Sequence, residues 1–152
     1  MRNCESVIFS VLCMVYAGDQ LLLQNRVKED WKGLVFPGGH VEKDEPFVDA
    51  VKREMKEETG LIIVNPRLCG IRHFKEENGI MTFVLLFKTN EYTGTLRSSE
   101  EGEMRWINRN ELSAHKVVDD FFELLRVFDD DTLNEFVYNF DKTDRTWSIS
   151  IH

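Results

Sequence analysis

The order of strand-like and helix-like runs along the chain predicts an α/β (α+β) fold with a mixed central sheet. Three observations carry this. Runs rich in β-branched and aromatic residues, such as SVIFSVLCMVY (6–16) and IMTFVLLFKT (80–89), alternate with Gly- and Asn-containing turns. An amphipathic stretch with helix punctuation at both ends lies between Gly39 and Leu61, and a shorter one follows Asp119 and Asp120. A length of 152 residues suits one domain with room for a core.

Taken in order, residues 6–16 read as a buried strand, and Ala17-Gly18-Asp19-Gln20 turns the chain into a second strand over 21–26. Residues 27–33 form a polar loop containing Trp31. Leu34-Val35-Phe36 makes a short strand that Pro37-Gly38-Gly39 ends, since proline has no N–H for a ladder and glycine opens backbone paths closed to other residues. The next helix should have Pro46 in its first turn, where a missing N–H costs nothing, and Asp44 or Glu45 as its cap. Phe47, Val48, Val51 and Met55 are its expected apolar face and Gly60 its left-handed C-cap. Residues 61–64 and 67–75 read as strands, and Asn78-Gly79 as a hairpin turn into 80–89.

Residues 94–96 are expected to add a short edge strand, 98–103 an acidic loop and 104–107 a further strand. Asn110-Glu111-Leu112 begins a short helix or turn. Asp119 and Asp120 are expected to cap a firmer helix through Phe128, with Phe121, Leu124, Leu125 and Phe128 inward at helical spacing. Asp129-Asp130-Asp131 disfavour its continuation, because negative charge opposes a C-terminal dipole. In the tail, Trp147, Ile149 and Ile151 alternate with Ser148 and Ser150, which predicts a C-terminal β-hairpin of 135–140 and 147–151. That face either covers the core or pairs with a second chain, giving a homodimer.

Hydrophobic content of 42% and charged content of 30% are those of a soluble globular protein. A net charge of -8 argues against a nucleic-acid polymer as partner, because no basic stripe could track phosphates. A small polyphosphate stays open, since divalent ions would reverse the local sign. Cys4, Cys13 and Cys69 are odd in number, widely spaced and in apolar or strand-like runs, so free buried thiols in a reducing cytoplasm are expected. Neither a signal peptide nor a membrane span is expected, and four scattered histidines do not suggest zinc.

The stretch Gly39 to Leu61 carries the chemistry. Glu54, Glu57 and Glu58 stand at i, i+3 and i+4, within an arc of roughly 100°. Like charges crowded on one face repel unless a cation resides there, so this face reads as a divalent-metal site on a helix approached from a Gly-Gly turn. Gly39, Glu45, Arg53, Glu54, Met55, Glu57, Glu58, Gly60 and Leu61 fill every fixed position of G-x5-E-x7-R-E-U-x-E-E-x-G-U, with U aliphatic. In this pattern the chain resembles the Nudix hydrolases.

The resemblance covers roughly residues 5–130, and 1–152 is read as a single domain with 131–152 as a C-terminal extension. It implies an α/β/α sandwich, Mg2+ or Mn2+ as cofactor, and hydrolysis of a diphosphate joined to another moiety. It also implies Glu54 and Glu58 as metal ligands, Glu57 as a ligand or the group that activates water, and Glu45 as a ligand directly or through water. The Gly39 carbonyl would add a backbone ligand, and Arg53 would hold a catalytic carboxylate in place by a charge-assisted bond. A further base often comes from outside this box in the family, and Glu101 or Glu103 of the acidic loop is the candidate.

Within the family, Leu21-Leu22-Leu23-Gln24-Asn25-Arg26, residues 34–39, Leu68-Cys69-Gly70-Ile71 and residues 99–103 before Trp106 resemble the 8-oxo-dGTP diphosphatase (MutT-like) branch. That branch implies a nucleoside triphosphate cleaved to monophosphate and pyrophosphate. The purine would be read by Asp119 or Asp120 near the start of the last helix and by Arg26 ending the second strand. Phe36, Phe74, Phe83 and Trp31 could wall or stack on the base, with core packing as the alternative for each. Another NDP-X remains the alternative substrate, although the proline that marks ADP-ribose hydrolases is missing around Lys75-Glu76-Glu77. A non-catalytic nucleotide-sensing module would usually have lost carboxylates that this chain keeps.

Overall fold

Strand β1 (Val7–Ala17) is the centre of the computed structural model, which describes residues 2–27 and 32–152. Along one edge it pairs in parallel with β7 (Met81–Thr89), from Val7 opposite Met81 to Val15 opposite Thr89. Its other edge is divided. β4 (Gly38–His40) pairs antiparallel with Ser10 to Leu12, and β2 (Gln20–Arg26) with Tyr16 and Ala17. The sheet therefore forks beside β1. Beyond β7 it continues through β6 (Arg67–Lys75) to β10 (Glu135–Asp141) and β11 (Thr146–Ile151). Beyond β2 lie β3 (Gly33–Val35) and β9 (Gly102–Asn108), while β5 (Leu61–Val64) and β8 (Glu91–Gly94) form a separate ribbon.

Strand alternation sends successive β1 side chains into two different cores. Val11, Cys13 and Val15 pack with Ala50, Val51 and Met55 of helix α1 (Phe47–Thr59). Leu12, Met14 and Tyr16 pack with Phe121, Leu124, Leu125 and Phe128 of helix α2 (Phe121–Asp129). A mixed sheet between two helices is the sandwich expected. The two strands of the C-terminal hairpin form as the alternation predicts, and β10 extends the sheet in parallel with β6 from Glu135 to Val137. Phe136 and Ile151 reach the α2 core, so the inner end of the hairpin covers it. Among the described residues no helix is long and apolar enough to cross a membrane.

Several local expectations are corrected. Phe47 and Val48 are 38% and 43% exposed, and the buried face of α1 is Ala50, Val51, Glu54, Met55 and Thr59. The first turn lies at the margin of the core, where the exposed ring of Phe47 is 5.3 Å from the similarly exposed ring of Phe9. Neither Asp44 nor Glu45 caps the helix. Pro46 occupies the cap position without a side-chain bond, and Asp44 takes a left-handed turn at φ 60°. Gly60 does end the helix in the left-handed region, at φ 78°. Asp120 precedes α2 but makes no capping bond either, because its carboxylate is taken by Arg72. The expected strand at 94–96 lies instead at Glu91–Gly94, where it can pair with β5. Cys4 is exposed, since it precedes the first residue of β1, whereas Cys13 is buried and Cys69 half-buried. The loop residue Trp31 lies outside the described residues.

Phe36, expected at the substrate, is packed in the core and also borders a cleft. It is 2% exposed, with its ring 5.0 Å from Phe121 and 4.8 Å from Phe128. β3 ends at Val35, and the chain must turn inward there to deliver Pro37 and β4 to β1. Phe36→Ala should therefore act on stability, costing about 3–5 kcal/mol in urea unfolding. A cost below about 1 kcal/mol would show that the ring is not part of the core.

Candidate active site

A cleft of about 1380 Å³ opens at the fork, lined by β1, β2, β4, α1, β6 and the C-terminal hairpin. Such a volume takes a nucleotide with room to spare. Its floor at one end is the glycine pair. Gly38 pairs with Leu12 so closely that a Cβ there would strike the Val11 carbonyl, and a Cβ on Gly39 would strike the Glu54 carboxylate. Glycine at both positions is thus a matter of space, and the backbone of Gly39 lies directly against Glu54.

Arg53 ties the surrounding groups together. Its Nε–H donates to Glu45 Oε2 at 2.7 Å, and its Nη2 donates to Glu45 Oε1 and to the His40 carbonyl, both at 2.9 Å. Its Nη1 donates to Glu54 Oε1 at 2.9 Å and to Glu57 Oε2 at 3.2 Å. Every N–H of the guanidinium fork is engaged, so the side chain has one geometry available to it. The bond from Arg53 holds the Glu45 carboxyl at about 2, well below the usual range. Glu45 in turn raises the Arg53 guanidinium above its already high value. Glu54 behaves oppositely. Burial raises its carboxyl above the usual range and outweighs the opposing bond from Arg53, and the charges of Glu57 and Glu58 add to the rise.

The sequence-predicted residues sort clearly on this frame. Gly39, Arg53, Glu54, Glu57 and Glu58 all border the cleft. Glu45 does not. Both its oxygens face Arg53, one also accepts the Glu42 N–H at 3.1 Å, and its place is behind the arginine rather than beside Glu54. Glu101 borders the cleft, whereas Glu103 sits on β9 opposite Asn25 and is exposed, because alternation turns Met104 inward. The acidic loop meets the box through Ser99, whose hydroxyl donates to Glu58 Oε2 at 2.7 Å. Arg26, Asp119 and Asp120 border the cleft. Phe74 does so too, but Phe83 lies on the other face of the sheet, stacked between His73 and Phe9.

Sequence reasoning missed Arg72, Gln24 and Tyr138, all of which line the same cleft. Arg72 Nη1 donates to Asp120 Oδ2 at 2.9 Å in a buried pair. A period-two reading of β6 would have found it, because Arg72 falls on the same face as Gly70 and Phe74.

Glu54, Glu57 and Glu58 offer hard oxygen donors of the kind magnesium and manganese take. Among the described residues no three His, Cys, Asp or Glu side chains converge into a closed cage. Arg53 occupies Glu54 and Glu57, and Ser99 occupies Glu58. That suits a small hard cation, which is commonly held by one or two carboxylates and completed by water and substrate phosphates. The donor set fits such an ion.

Comparison with known proteins agrees with the geometry. The NUDIX domain family matches residues 8–128, and the chain belongs to that family, whose members hydrolyse phosphoanhydride bonds and generally use divalent metal ions. It is 35% identical over 105 residues to the uncharacterized Nudix hydrolase YvcI of Bacillus subtilis, covering 66% of this chain and 65% of that one. The chain thus spans just under two thirds of that relative. It is 32% identical over 97 residues to an 8-oxo-dGTP diphosphatase of Haemophilus influenzae, covering 62% and 71% of the two chains. The crystal structure of a MutT protein from Bacillus halodurans superposes with a TM-score of 0.77 at 27% identity, covering 95% of this chain and 97% of that one.

The Glu45–Arg53 bond has a pH signature. A carboxyl held at about 2 instead of the ordinary 4.5 contributes stability that is present above about 4.5 and is lost as the pH falls towards 2. Thermal melts of wild type and Glu45→Gln should therefore differ at neutral pH and converge across that acid window. A difference that persists unchanged at about pH 2 would show that the bond does not act through the carboxylate charge.

Proposed function

We propose that this protein is a metal-dependent pyrophosphohydrolase. It would cleave a (deoxy)nucleoside triphosphate, with 8-oxo-dGTP or a related oxidised purine nucleotide as its substrate, to monophosphate and pyrophosphate. The observation that carries the reading is Arg53 bonded at once to Glu45, Glu54 and Glu57 beside a glycine backbone, at one end of a nucleotide-sized cleft. The Haemophilus relative named for 8-oxo-dGTP supports the substrate class. All box carboxylates are kept, which favours an enzyme over a sensing module.

On this reading Glu54 and Glu58, with the Gly39 carbonyl, would hold Mg2+, for which Mn2+ could substitute. When bound, the ion neutralises the polyphosphate and lowers the pKa of the attacking water. Glu57 takes the proton from that water as the bond to phosphorus forms, and pyrophosphate leaves. Arg53 is a positioning residue, fixing the carboxylate planes of Glu54 and Glu57. Glu101, on the cleft wall, is the second candidate for the base. Arg26 and Asp119 lie on the cleft wall near where a nucleoside would extend.

Glu57→Gln should lower kcat by about 10²–10⁴-fold without loss of fold, and a variant within tenfold of wild type would remove Glu57 from the chemistry. Arg53→Lys keeps the charge but not the fork, so kcat should fall by about 10²-fold. The deciding experiment is a panel of nucleoside triphosphates, oxidised deoxynucleotides, ADP-ribose and dinucleoside polyphosphates with Mg2+, products identified. Pyrophosphate and a monophosphate are expected, with activity abolished by chelator. Inorganic phosphate as the product, or full activity in excess EDTA, would overturn the proposal.

A further inference from the structure

Two buried donors in the cleft have no partner among the described residues: the Arg72 Nε–H and the Gln24 Nε2 amide. Buried N–H groups without a partner are uncommon in native proteins and point to a group that is supplied from outside. Arg72 is 8% exposed and its Nη1 is fixed on Asp120, itself 3% exposed. The charge of Arg72 is thus already paired with Asp120, and its buried Nε–H is left as a directed hydrogen-bond donor. That suits an uncharged acceptor, a ring nitrogen or carbonyl oxygen, better than a phosphate.

The C-terminal hairpin stands beside this donor, beyond the residues 8–128 that the family match covers. Phe136 pairs with Arg72 across β10 and β6, Ile149 with Tyr138, and Trp147 with Phe140 across β10 and β11. Paired residues share a face, so alternate hairpin side chains form one apolar surface. Its inner end is core, and its outer end, Tyr138, Ile149 and Trp147, lines the cleft. Trp147 is braced by the rings of Phe140 at 4.9 Å and Tyr138 at 6.1 Å, yet it remains 47% exposed. A braced but exposed indole beside an unpaired donor matches what a planar heterocycle requires: a flat apolar surface and a hydrogen bond at its edge.

We propose that the hairpin is the outer wall of the substrate cleft, where Trp147 stacks on the nucleotide base and the Arg72 Nε–H donates to an acceptor on the base edge. Both are then specificity-determining residues. The proposal rests on the nucleotide reading above and assigns the half of the cleft remote from the carboxylates. A sugar or alkyl moiety in that half would present no flat face to the indole.

The test uses the full chain and the best nucleotide of the substrate panel, with inorganic tripolyphosphate, which has no base, as a competing inhibitor. Trp147→Ala should raise KM about tenfold with kcat within about threefold of wild type, and Trp147→Phe should recover most of the loss. Arg72→Lys, which keeps the charge beside Asp120 but has no Nε–H, should also raise KM. In each variant the Ki of tripolyphosphate should stay within about twofold of wild type. A KM for Trp147→Ala within twofold of wild type would overturn the hairpin assignment and leave the hydrolase reading standing. An equal weakening of tripolyphosphate would overturn it as well, since the effect would then be a general distortion. A wild-type chain that hydrolyses no nucleotide would remove both readings together.

Discussion

Arg53 commits all five of its N–H groups to four partners that come from three places in the chain. The His40 carbonyl ends β4, Glu45 lies just before α1, and Glu54 and Glu57 project from the helix itself. A guanidinium fork bound this completely fixes the strand end, the connecting loop and the helix as one unit. It also lets three carboxylates crowd one region, because their repulsion is offset by a cation that is always present. Lysine could supply the charge but not the planar set of five directions. The helix must then stop soon after Glu58. Gly60 does this in a left-handed conformation, at a place where a Cβ would strike the Thr95 carbonyl.

The cleft has two chemically different halves. Around Arg53 lie ionised groups suited to cations and phosphates. Around Arg72 the ion pair with Asp120 is buried, and Phe74, Tyr138, Trp147 and Ile149 add aromatic and apolar surface beside polar groups such as Gln24 and Asp119. Binding energy from a base in the second half can fix the position of a polyphosphate in the first without any change in the carboxylates.

How much of this was legible in the sequence followed from how local each cause was. The box residues were readable because helix periodicity fixes which of them share a face, and Gly60 because only a left-handed cap explains it there. The strands at 61–64 and 67–75 were read with their observed limits, since Gly60 and Asn65-Pro66 punctuate them. The apolar face of α1 was misread by a fraction of a turn. Phe47 and Val48 look like core residues, and only the position of the sheet under the helix shows that they lie at the margin of the core. Glu45 was assigned to a metal because spacing gives no hint that Arg53 engages both its oxygens. Arg72 and Asp120 lie 48 positions apart, and nothing local links them. Glu103 was misplaced for the same reason: which face of a short segment is inward is decided by its neighbours.

The divided edge of β1 has a consequence for how the chain assembles. The nine-pair parallel ladder with β7 joins the first strand to one made much later, with β2, β4 and α1 all inside the closed segment. Parallel pairing across so long a loop has a large closure entropy and is slow to form. A nascent chain that has not yet emerged past Thr89 carries the whole box in its sequence without the β7 ladder that completes the central strand beneath it.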